Sequence, residues 1–264
     1  MKKLILSALA LAFATTAVTA QGLVSKKGEA YLPEAGDYAL SIDAVPFLQL
    51  MNFNNGSNVQ AAPVMYTLQG KKFESATKAC RYGVSVGLNN SAQFNMVSEL
   101  EDGAATGSND LVEDRNVVRN TALFLSAGKE LRKGNTRVQG TIGADAFIGF
   151  TNRVEENEFG NDENDLADGT YILEDKSGLG FSIGARAFVG AEYFIAPKVS
   201  LGFEVGLALS LQTQAAGEQT VLEVDRTGGS VDTDENTVDG TSSSRTFGLQ
   251  NNLTGGMISL NFHF

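Results

Sequence analysis

Residues 178–211 read GLGFSIGARAFVGAEYFIAPKVSLGFEVGLALSL. Divided at Ala196-Pro197, the stretch becomes two strands. In the second, Val199, Leu201, Phe203, Val205, Leu207, Leu209 and Leu211 alternate with Ser200, Gly202, Glu204, Gly206, Ala208 and Ser210. A strand sends successive side chains to opposite faces, so one face is wholly apolar and the other is small or charged. In the first strand, Leu179, Phe181, Ile183, Ala185, Ala187 and Val189 oppose Gly180, Ser182, Gly184, Arg186, Gly190 and Glu192. Strands of soluble proteins run to about 5–6 residues. Strands of this length with a single apolar face match the roughly 9–11 tilted residues with which a closed β-barrel crosses a bilayer.

The same period of two recurs outward from this hairpin. It predicts strands over Tyr38–Met51, Val64–Phe73, Lys78–Leu88, Asn120–Leu131, Thr136–Thr151 and Thr246–Phe264. Pro46 cannot donate to a ladder and predicts a bulge or break in the first of these. Lys71 and Lys72 are adjacent, so one of them faces outward. Turns of a few residues join the second strand to the third, the fourth to the fifth and the sixth to the seventh. Long loops fall at about 52–63, 89–119, 152–177 and 212–245. Short turns at one end and long loops at the other predict an all-β, eight-stranded antiparallel up-and-down transmembrane β-barrel over 38–264, with a periplasmic lead-in over 21–37.

The chain opens MKKLILSALALAFATTAVTA. Lys2 and Lys3 precede a short apolar core and a small-residue site, the pattern of a secretory signal peptide cleaved after about Ala20. Gln21 rather than Cys follows, so no lipid is expected there. Losing Lys2 and Lys3 takes the formal charge from −11 to −13. That balance excludes nucleic acid as a partner, because phosphate binding needs a basic face. Cys80 is the only cysteine, which excludes an intrachain disulfide and a cysteine-based metal site. It falls on the apolar, lipid-facing side of its strand.

Three sets of residues bear on chemistry. Arg81, Glu130, Arg137, Asp145, Arg186, Glu192 and Glu204 fall on the inward face. An eight-stranded barrel is just wide enough for side chains to fill, and isolated charges away from water are costly, so these predict a paired charge network that plugs the lumen. A gated or narrow conduit is the alternative. The acidic runs Asp162–Asp165 and Asp232–Asn236 predict solvated surface loops, with weak divalent-cation binding as the alternative. They lack the EF-hand order, since Thr237 and Ser243 stand where that loop needs Gly and Glu. His263 is the only histidine and lies at the periplasmic rim, away from any site where a nucleophile pair could work. No catalytic, cofactor-binding or metal-ligating residue is predicted, and no cofactor.

The chain closes GGMISLNFHF, with Leu260, Phe262 and Phe264 on one face. That resembles the C-terminal signature of bacterial outer-membrane barrels, which the barrel-assembly machinery reads. LPEAGDYALSIDAVPFL and KELRKGNTRVQGTIGAD resemble small eight-stranded barrels of Bacteroidota, the outer membrane protein β-barrel family. The resemblance implies a location in the cell outer membrane, contact with its lipid and lipopolysaccharide, and biogenesis through the assembly machinery. The expected role is structural or surface-interacting and non-catalytic, with an envelope protein as a possible partner. The alternatives are a narrow channel or transporter for small or hydrophobic solutes, and a soluble periplasmic barrel.

Overall fold

The computed structural model describes residues 23–44, 65–107, 110–134, 136–226, 232–251 and 257–264. The expected signal peptide, the Pro46 break and the loop at 52–63 lie outside them. The described residues form strands β1 (Tyr38–Asp43), β2 (Met65–Ser75), β3 (Lys78–Ser98), β4 (Leu100–Glu101), β5 (Ala104–Ala105), β6 (Leu111–Lys133), β7 (Val138–Glu158), β8 (Gly169–Lys176), β9 (Gly180–Ala196), β10 (Val199–Gln214), β11 (Glu218–Asp225), β12 (Asp232–Asp239), β13 (Ser244–Asn251) and β14 (Met257–His263). The one helical element among them is a single 3-10 turn, Glu163–Asp165.

Eight strands pair in a closed antiparallel ring, in the order β1, β2, β3, β6, β7, β9, β10, β14 and back to β1. The seam joins Ala39 to His263 and Asp43 to Ser259. Just below it, Tyr38 and Phe264 exchange backbone hydrogen bonds of 2.8 and 2.9 Å. Within the expected last strand, Thr246–Phe264, the described residues form β13 and β14. β14 pairs with the first half of β10 and β13 with the second.

The turn that splits the opening hairpin is Pro197-Lys198. Lys198 sits in the left-handed region, φ 59, which is costly for a side chain other than glycine. Its surroundings hold it there. Its carbonyl accepts the His263 amide (2.7 Å), its own amide reaches the Tyr31 carbonyl (3.4 Å), and its ammonium pairs with Asp37.

The two faces of the ring strands differ sharply. On every strand of the ring large apolar side chains face out: Leu40, Leu68, Tyr82 (58% exposed), Leu125, Ile142, Ile183, Phe203 (50%) and Ile258. The opposite parity faces in and is buried, and much of it is polar or charged.

Three segments expected as loops, 89–119, 152–177 and 212–245, are largely strand instead. β3 and β6 continue together well past the ring, from Lys78 opposite Leu131 up to Ser98 opposite Leu111. β8 joins the top of β7, β11 pairs with β8, and β12 with β11. The result is a sheet extension rising from the long-loop end. Cross-strand polar pairs lace it: Asn116 Nδ2 to Asn157 Oδ1 (2.7 Å) and Arg115 to Glu158 (2.9 Å). A small apolar core of Leu166, Leu222 and Val224, flanked by Leu100, Tyr171 and Leu173, anchors it. Arg226 ties the same region together through the Leu166 carbonyl (2.8 Å) and, by its backbone amide, Asp168 (2.7 Å).

Candidate functional site

The candidate site is the interior of the ring. It is built where period-2 alternation turns polar residues of β2, β3, β6, β7, β9, β10 and β14 toward one another. Four cations (Lys71, Arg81, Arg132, Arg186) meet four carboxylates (Glu130, Asp145, Glu192, Glu204).

The upper part centres on Arg81, which is 1% exposed. Its guanidinium donates in a two-pronged fork to Glu204 (2.9 and 3.0 Å) and also to Glu130 Oε2 (3.1 Å). Asp145 lies 3.7 Å from its Nε. Arg186 donates to Asp145 (2.7 Å) and stands 3.7 Å from Glu204. The Phe188 ring backs both arginines, 3.9 Å from the Arg81 guanidinium carbon and 5.4 Å from that of Arg186. Glycines opposite these bulky groups make the space. A Cβ on Gly143 would fall 2.5 Å from the Phe188 ring and 2.2 Å from the Lys129 carbonyl.

The lower part centres on two carboxylates. Glu130, wholly buried, accepts Lys71 at 2.9 Å, with Arg132 3.8 Å away. Glu192 accepts Arg132 (2.6 Å), His263 Nε2 (2.8 Å), Asn261 Nδ2 (3.3 Å) and the Ser200 hydroxyl. Phe73 and Phe194 flank His263 with ring centroids 5.6 and 5.2 Å from it.

The lead-in closes the short-turn end. Val24 bridges Ala30, while Tyr31 and Pro33 are buried. The Gly36 amide donates to the Phe73 carbonyl (2.9 Å). Burial raises the Asp37 carboxyl, but the hydrogen bonds from Lys198 and from the Glu34 amide outweigh it. The group is held below its ordinary value of 3.8.

Of the seven residues predicted for the interior, six lie together: Arg81, Glu130, Asp145, Arg186, Glu192 and Glu204. Arg137 does not. It precedes β7, beyond the rim, and donates to the Tyr31 hydroxyl (2.6 Å) with its guanidinium carbon 4.2 Å from that ring. Lys71 and Arg132 join the network without having been singled out. The sequence pattern ends its fourth strand at Leu131, one residue short of Arg132, yet β6 continues to Lys133. The two-residue spacing of Arg132 from Glu130 was the available signal. Lys72 is the outward one of its pair, 5.8 Å from the Tyr38 ring. Leu260 is half-buried, while Phe262 and Phe264 are exposed on the outer face. Cys80 donates to Glu74 (3.1 Å), which also accepts Lys129 (3.2 Å).

Ser200, His263 and Glu192 form a compact group without the geometry of a nucleophilic triad. Both contacts of the histidine fall on one nitrogen: Glu192 Oε1 at 2.8 Å and Ser200 Oγ at 3.3 Å from Nε2. A base that activates a hydroxyl must offer that hydroxyl a free lone pair while its second nitrogen is oriented by the acid. Here Nε2 donates to Glu192, the Ser200 proton goes to the same carboxylate, and buried Nδ1 has no partner among the described residues. The group is also buried beneath the lead-in. Within the network the charges neutralise one another across the ring.

The acidic runs are part of the extension. Asp162 caps the 3-10 turn, accepting the Asn164 amide at 3.0 Å, and that bond holds its carboxyl below the ordinary range. Asp232–Asp239 is strand β12. Among the described residues, no group of three or more His, Cys, Asp or Glu side chains is placed to hold a metal ion. No family model and no curated protein matches the chain.

Proposed function

We propose that this chain is an eight-stranded outer-membrane β-barrel with a closed lumen, whose role is structural and surface-interacting rather than catalytic. One observation carries this: apolar side chains cover the outside of all eight ring strands while charged groups fill the inside. Soluble monomers rarely expose contiguous apolar patches above a few hundred Å², and a closed ring satisfies every backbone group in hydrocarbon. The short-turn end then faces the periplasm and the sheet extension faces outward, in contact with lipopolysaccharide and available to an envelope partner. The signal-peptide pattern, the aromatic C-terminal strand and the resemblance to small Bacteroidota barrels support the same location. The alternative of a narrow channel is disfavoured by four cations and four carboxylates paired across the interior.

The test is membrane fractionation followed by alkaline and urea washes. The protein should stay in the outer-membrane pellet, be released only by detergent, and show heat-modifiable mobility on electrophoresis. Release by alkali alone would overturn the proposal.

A further inference from the structure

Above the charge network, at the long-loop end of the ring, a cavity of about 240 Å³ opens between β6, β7, β9, β10 and β13. Its lining includes Phe124, Thr151, Ser182, Gln212, Gln214 and Thr246. Gln212 and Gln214 continue the inward parity of Glu204 and Ser210, and Thr246 pairs directly with Gln212. Ser182 is only 6% exposed.

Two observations set this cavity apart. First, no lining residue carries a charge, although the chain holds 31 acidic and 20 basic residues. The nearest interior ions, Arg186, Asp145 and Glu204, are committed to one another. Second, the polar side chains here are unused. None of the five hydroxyl and amide side chains just named bonds to another protein group among the described residues. One step deeper along β10, the Ser210 hydroxyl is 2% exposed and has no partner among the described residues. In the network below, by contrast, each charged side chain has an ion-pair partner. Gly180 lets the Thr151 hydroxyl into the lining, because a Cβ there would fall 2.2 Å from Thr151 Oγ1.

We propose that this cavity binds a neutral polyhydroxylated ligand, a sugar unit presented from outside the cell. Hydroxyls and carboxamides both donate and accept, which matches vicinal sugar hydroxyls, and the Phe124 ring supplies an apolar face. An anion or a cation would find no counter-charge in the lining. The volume lies below the roughly 300–1,000 Å³ of drug-sized pockets, so it takes one ring of a glycan with the rest projecting through the mouth. The inference rests on the proposed function only for the side of the membrane the mouth faces.

The experiment is saturation-transfer NMR and calorimetry on the full chain in an amine-oxide detergent, since the headgroup of an alkyl maltoside is itself such a ligand. The probes are glucose, galactose, mannose and N-acetylglucosamine, with sulfate and spermidine as ionic controls. At least one sugar should bind saturably with a dissociation constant of about 1 mM. Gln212→Ala and Thr151→Val should each weaken it about tenfold while heat-modifiable mobility is unchanged. Thr246→Val, at the exposed rim, gives a second variant should either inner one misfold, and should also weaken binding. No saturable sugar, unaltered binding in folded variants, or binding of sulfate or spermidine alone overturns the proposal. Failure here leaves the fractionation result standing, so the two are told apart.

Discussion

Arg81 touches three carboxylates from three different strands of the ring. Removing it leaves Glu204 without its fork and Glu130 with one cation fewer, and a buried charge stripped of its partner costs about 3–5 kcal/mol. Arg81→Ala should therefore lower stability by about that amount in urea unfolding on micelles. Arg81→Lys should recover only part, because an ammonium cannot make the two-pronged contact. A loss below about 1 kcal/mol for the alanine variant would contradict the assignment. At the rim, Asp37 is held below 3.8. A depressed carboxyl gives stability that is complete above the unfolded value and is lost as pH falls through the folded one. Wild type should therefore melt above Asp37→Asn at neutral pH, by of order 1 kcal/mol. The gap should close on acidification below 3.8. A gap that widens in acid would reverse the sign. Inward parity made six of the network residues legible in the sequence. Arg132 was hidden because the sequence Arg132-Lys133-Gly134-Asn135 reads as a turn, and Lys71 by an equally basic neighbour. Arg137 has the right parity but sits past the last rung, where the lead-in rather than the ring meets it.

Among the elements, β9, β10 and the lower half of β3 were legible because one face is apolar and exposed while the other packs inside the ring. The upper parts of β3, β6 and β7, and all of β12, carry polar residues on both faces. With both faces wet, no alternation marks a strand, and Asn, Asp and Gly read as loop. Pairing across strands holds them straight instead, with the Leu166–Leu222–Val224 core behind. Leu222 is 2% exposed. Leu222→Ala should cost the extension about 2–5 kcal/mol. Proteinase K added to whole cells should then cut within 159–240, while the ring keeps its heat-modifiable mobility. A fall in the melting temperature of the ring itself would mean that the extension and ring are one cooperative unit.

At the scale of the whole molecule, the interior charges balance, the aromatic residues Phe73 and Phe194 and the lead-in close the short-turn end, and the outside is apolar. In planar bilayers the purified protein should give no steady conductance, and uniform single-channel steps would show that the plug moves. The seam between Tyr38 and Phe264 carries a consequence for how the molecule comes to exist. These residues bracket nearly all of the described chain, yet their backbones are bonded to each other. No amount of strand formation elsewhere closes the ring before the segment 257–264 is in place against β1. A ring lacking that one pairing has two raw edges, and an unpaired edge is a template for any other strand. Joining ends so far apart is a slow, high-contact-order step. How long that hazard lasts depends on how fast the final seam zips, not on how fast individual hairpins form.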